Sequence, residues 1–101
     1  MASRLKLHSE LETILGSKNV YYQPPASMHL KYPCIVYKKR AMDSQYADNI
    51  AYIHKQSYTI TVIDTNPDSE LDDRMAEFPL TRSESSFCSG NLYHDVFVTY
   101  Y

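Results

Sequence analysis

The chain has 101 residues, 44% of them hydrophobic, and a formal net charge of −2. That length supports one domain with one core, and so small a domain buries only about 60–70% of its unfolded surface, so neighbouring subunits can add to its burial. The near-neutral charge speaks against a protein that grips nucleic acid, where neutralising phosphates dominates affinity, and no apolar run approaches the ~20 residues of a bilayer-spanning helix.

Met1–Lys6 is not followed by the continuous apolar stretch of a signal peptide, so none is predicted. Leu7, Leu11, Ile14 and Leu15 then recur at helical spacing among Lys6, Glu10 and Glu12, which predicts an amphipathic helix stopped by Gly16. Asn19–Tyr22 reads as extended and Pro24-Pro25 ends it. Tyr32-Pro33 leads into a strand over Cys34–Tyr37, since the residue before proline is held extended.

From Lys38 to Ser57 runs "KKRAMDSQYADNIAYIHKQS", far longer than a hairpin turn and without Gly or Pro. It carries Met42, Tyr46, Ile50, Tyr52 and Ile53, too apolar for a discarded linker and too polar for a core helix. One reading is a β-ribbon that protrudes past the sheet and turns near Asp48-Asn49; the other is a mobile, mostly disordered loop, and both hold if the segment is disordered when free and ordered when assembled. In the ribbon, Met42, Tyr46, Ile50 and Tyr52 form an exposed apolar set of the kind that marks a binding surface.

"YTITVID", Tyr58–Asp64, is the clearest strand, with Tyr58, Ile60 and Val62 on one face and Thr59, Thr61 and Ile63 on the other. In "TNPDSELDDRMAEFP" Asn66 is placed as a helix cap, Pro67 in the first turn, Asp68 and Glu70 near the positive helix end, and Leu71, Met75 and Phe78 as the inward stripe closed by Pro79. A hairpin follows, Thr81–Cys88 and "LYHDVFVTYY" about a turn at Ser89-Gly90-Asn91. In its second strand Val96, Val98 and Tyr100 share one face, Phe97 and Tyr101 the other, so the strand is either internal to the sheet or covered by a partner. The predicted fold class is α+β: a small, mainly antiparallel sheet with two helices packed on it and the long ribbon or loop between central strands.

Chemistry-bearing patterns are sparse. His8, His29, His54 and His94 fall one to a segment, with no H-x-x-x-H or C-x-x-C spacing, so no metal or other cofactor is expected. His94 and Asp95 are adjacent on a strand and therefore point to opposite faces. Cys34 and Cys88 read as reduced core thiols, consistent with a cytoplasmic origin. Asp64, Asp68, Glu70, Asp72 and Asp73 form the dense carboxylate group, read first as a solvated helix start. No nucleophile–base pattern or phosphate-cradling glycine loop is present, and catalysis is not expected. Lys38, Lys39 and Arg40 are a solubilised strand end, a weak phosphate contact, or the complement of Asp68, Asp72 and Asp73 on an adjacent copy. The last is a heterologous contact, which closes into a ring when its rotation closes.

Taken together, the N-terminal helix, "NVYYQPP", "LKYPCIVYKK", the interrupted ribbon, "YTITVID", "NPDSELDDRMAEFP" and "NLYHDVFVTYY" resemble the tail-terminator and tail-completion, or head–tail joining, proteins of long-tailed bacteriophages and prophages. The resemblance runs over nearly all of residues 1–101. It implies a non-enzymatic structural protein of the virion, made in the bacterial cytoplasm, whose copies form a ring, commonly a hexamer, on the head-proximal end of the tail tube. Such a ring ends tube growth, meets tail-tube and head-connector proteins, and lets DNA pass without specific binding or any membrane. Another neck or tail-tube component has the same sequence style. A small nucleic-acid-binding module with tyrosines as stacking platforms, and a ligand-binding or enzymatic domain using His94 or the acidic helix start, are the alternatives from other classes.

Overall fold

The computed structural model describes residues 4–40, 56–66 and 68–101. In chain order these form α1 (Arg4–Leu15), β1 (Val20–Tyr22), β2 (Cys34–Lys39), β3 (Ser57–Asp64), α2 (Leu71–Ala76), β4 (Thr81–Ser89) and β5 (Leu92–Tyr100). The strands make one sheet of five, in the order β1-β2-β3-β5-β4. All pairings are antiparallel except β1 with β2. The class is therefore α+β, a mostly antiparallel sheet with two helices against it. No helix among the described residues is long and apolar enough to cross a membrane.

One face of the sheet builds the core. Register aligns Ile35 with Val62, Tyr37 with Ile60 and Ile60 with Phe97; these residues join Val20, Tyr58, Leu7, Leu11, Leu15, Leu71 and Met75 in one buried cluster. The helical stripe of α1 lands as its spacing requires, with Leu7 and Leu11 fully buried. Gly16 ends the helix at φ 81°, its N–H donating to Glu12 at 2.8 Å, a left-handed stop that favours glycine. A polar latch fixes the start of α1 to β2. The buried Tyr37 hydroxyl receives a hydrogen from Arg4 at 3.0 Å and lies 2.7 Å from His8 Nδ1, and the Arg4 guanidinium sits over the Tyr22 ring at 4.3 Å.

Three local expectations are corrected. The regular turns of α2 begin at Leu71 after Glu70 rather than at Asn66. Before it, Asn66 N–H donates to Asp64 (3.1 Å), Asp68 N–H to Asn66 (3.0 Å) and Leu71 N–H to Ser69 (3.2 Å). These side-chain turns take the donors that an earlier helix start would use; Pro67 lies outside the described residues. The second correction is to the hairpin, whose strand β4 keeps Ser89, leaving a two-residue turn of Gly90 and Asn91 at φ 58° and 64°. Both central residues are left-handed, as a type I′ turn demands. Third, Cys34 is buried but Cys88 is exposed, because β4 is the sheet's edge strand and is exposed along most of its length. Burial, with a smaller contribution from the charge of Asp64, pushes the Cys34 thiol up to about 11.

Candidate functional site

Two charged clusters of opposite sign stand at the two ends of the sheet. β2 ends in Lys38 and Lys39, both exposed, and the Arg40 N–H donates to Ser57 at the start of β3 at 2.9 Å. Arg4 lies at the same end through Tyr37, and Arg82 shares a row with Lys38 through Val98 and Thr59. β3 then runs the length of the sheet to Asp64. There stand Asp68 and Asp73, exposed, with Asp72 and Asp95 beside them. Seven strand steps from Ser57 to Asp64 put the two clusters about 23 Å apart. That is well beyond the ~8 Å over which salt screens charges at physiological ionic strength. Among the described residues none of Lys38, Lys39 and Arg40 forms a salt bridge, whereas Arg74 pairs with Glu70 at 3.4 Å. One chain does not bring its basic and acidic ends together.

Within the acidic end Asp72 behaves differently from its neighbours. It turns toward its own sheet, where burial, then a hydrogen bond to Asp95, then the charges of Asp95, Asp73 and Asp64 push its carboxyl up to about 7. Ser86 Oγ donates to Asp95 at 2.6 Å. Asp72 Oδ1 is buried and receives no hydrogen bond from the described residues. Asp68 and Asp73 are thus the carboxylates of the predicted trio that face solvent, while Asp72 is committed inward.

The sheet's second face carries a groove at the acidic end, about 360 Å³ in volume. Its floor is Val36, Thr61 and Ile63; one wall is the loop over residues 24–30, the other Phe87 and His94. The two rings stack at 4.6 Å and 9°. His94 Nδ1 lies 3.2 Å from the Leu92 carbonyl, so that nitrogen carries the hydrogen and Nε2 is left as the acceptor. As expected, His94 and Asp95 face opposite sides of β5, and they share no proton path.

No group of three or more His, Cys, Asp or Glu side chains among the described residues is arranged to hold a metal ion. Of the tyrosines beside the basic triplet, Tyr37 and Tyr58 are buried and Tyr22 packs against the core beneath Arg4. Their rings fill the domain instead of offering faces to bases. Burial holds the Tyr37 and Tyr58 hydroxyls above the usual phenol range, and Tyr101, also through Glu10, is pushed up to about 12.

Met42, Tyr46, Ile50 and Tyr52, with the expected turn at Asp48-Asn49, lie outside the described residues. Both ends of their segment are at the basic end, joined by Arg40 N–H to Ser57 O and by Gln56 Nε2 to the Arg40 carbonyl at 2.7 Å. The groove escaped sequence reasoning altogether. Its one local signal is Phe87, a lone large apolar residue in the serine-rich "RSESSFCS". Comparison with models of protein families, with curated proteins and with solved structures returns no match to the chain.

Proposed function

We propose that the chain is a non-enzymatic assembly subunit of a long-tailed bacteriophage or prophage. Its copies form a ring, commonly of six, that closes the head-proximal end of the tail tube and joins it to the head connector. The observation that carries this reading is the placing of Lys38, Lys39 and Arg40 at one end of the sheet and Asp68 and Asp73 at the other. Two charged ends that cannot meet within a chain are satisfied when like subunits meet head to tail, and such heterologous contacts make a ring when their rotation closes. Exposed pairs of this kind are individually weak, so they set register and encounter more than affinity. Affinity then falls to apolar contact, for which Met42, Tyr46, Ile50 and Tyr52 are one proposed source. A subunit with a net charge of −2 also suits a ring through which DNA slides, where tight phosphate binding arrests it.

Electron microscopy of tail tubes grown with and without the purified protein tests this directly. Tubes of uniform length bearing a ring on one end are the expected result. Tubes that grow on unchanged in its presence exclude the reading.

A further inference from the structure

Ser57, the first residue of β3, is only 7% exposed, yet its buried Oγ has no hydrogen-bond partner among the described residues. A buried hydroxyl left unpaired is costly, and such a group is ordinarily completed by a water or an ion. Register tells where it points. Tyr58, Ile60 and Val62 face the core, so alternation puts Ser57 and Thr59 on the sheet's second face. Arg40 stands beside Ser57, its N–H bonded to the Ser57 carbonyl at 2.9 Å. Two residues back on β2, Lys38 lies opposite Thr59, and that row continues through Val98 to Arg82. Lys38, Arg40 and Arg82 thus share the face of the Ser57 hydroxyl, whereas Lys39, opposite Tyr58, takes the core side. Strand spacings of about 4.8 Å and steps of about 3.4 Å put their Cα atoms about 8, 5 and 12 Å from that of Ser57. Lys38 and Arg82 are exposed and Arg40 is half-buried. Among the described residues none of the three forms a salt bridge, and Asp64, Asp72 and Asp95 stand together at the sheet's other end.

We infer that the basic end of the second face is a phosphate site, in which Arg40 and Lys38 hold the anion, the Ser57 hydroxyl donates to it, and Arg82 adds charge from β4. The long Arg40 side chain rotates to uncover the hydroxyl and grips the same ion. An anion of one charge leaves most of these cations unanswered, whereas a phosphate offers several oxygens and up to two charges. The arginine fork matches two of those oxygens at once, and an O–H given to a charged oxygen is stronger than one given to a neutral acceptor. The phosphate is either free or part of a nucleic-acid backbone, since both present the same oxygens. The inference does not depend on the phage reading. Lys38 and Arg40 are also the cations offered to a neighbouring copy, so phosphate and the neighbour compete for them.

The full isotope-labelled chain, dilute enough to be monomeric, is titrated with inorganic phosphate near neutral pH and followed by amide NMR, with chloride holding the ionic strength constant. The amides of Arg40, Ser57 and Thr59 shift and saturate. Ser57→Ala and Arg40→Gln each weaken binding about tenfold, the loss of a charge-assisted hydrogen bond; Lys38→Gln, at an exposed side chain, serves if Arg40→Gln does not fold. In phosphate-free buffer Ser57→Ala melts at least as high as wild type, because it deletes a hydroxyl that has no partner. A short DNA duplex then separates the two sources. Binding whose log affinity falls with log salt at a slope of about −2.7, three phosphates at ~0.9 each, assigns the site to a nucleic-acid backbone, and phosphate binding without duplex binding assigns it to the free ion. Absent shifts, shifts that chloride reproduces, or shifts that survive the variants overturn the inference, as does a Ser57→Ala chain less stable than wild type without phosphate. A failed titration leaves the tube experiment untouched, and failed capping leaves the phosphate site untouched.

Discussion

Replacing Asp72 by Asn removes a charge that the fold opposes while keeping the side chain's shape. The Asp72 carboxyl titrates at about 7 in the folded chain against 3.8 ordinarily, raised first by burial and then by Asp95, Asp73 and Asp64. A folded value above the unfolded one means that the native state binds the proton more tightly. Stability is therefore full below pH 4, falls as pH rises from there toward 7, and levels off above it. At full weight the difference is about 4 kcal/mol. The side chain is only half-buried, and water screens the neighbouring carboxylates, so about 1–2 kcal/mol is the realistic gain for Asp72→Asn at pH 8. Urea unfolding of wild type and variant at pH 4, 6 and 8 reads it, with the gain near zero at pH 4 and growing to its plateau above pH 7. A gain that is the same at all three values, or a variant less stable than wild type at pH 8, refutes the carboxyl pair.

Tyr37→Phe leaves Arg4 and His8 without the hydroxyl they share and lowers stability by about 1–2 kcal/mol, with faster amide exchange in the first turns of α1. Gly90→Ala meets nothing within 4 Å, but its φ of 58° remains, so thermal unfolding shows a loss of about 1 kcal/mol from backbone strain alone. A thiol reagent at pH 8 modifies exposed Cys88 rapidly and buried Cys34 slowly; Cys88→Ser removes the fast phase and leaves the slow one. Leu11→Ala empties a fully buried position facing the sheet and costs about 2–5 kcal/mol in denaturant unfolding.

Elements carried by periodicity were legible in the chain itself. The stripe Leu7, Leu11, Ile14, Leu15 has no other use than a helix on a core, and Ile14 joins it as a partly buried neighbour. Alternation in Tyr58–Asp64 set both faces of the central strand, and Phe97 against Val96 and Val98 set those of β5. Helix α2 was placed correctly and bounded wrongly, since Asn66 and Ser69 offer the same hydrogen bonds to a turn as to a helix cap. Cys88 was misplaced because alternation says which face a residue takes and nothing of whether its strand is central or at the edge.

What local chemistry determined, then, was the kind and order of the elements, because helical and strand periodicity are properties of neighbouring residues. The charged clusters were visible as clusters for the same reason. Only the tertiary structure decided that they stand at opposite ends of one sheet. It alone turned Asp72 inward on Asp95, and built a groove from Met28, Val36, Ile63 and Phe87. These depend on which strands lie side by side. The order β1-β2-β3-β5-β4 is chosen by burying the whole chain's apolar surface at once, a sum over distant residues to which no single stretch holds the answer.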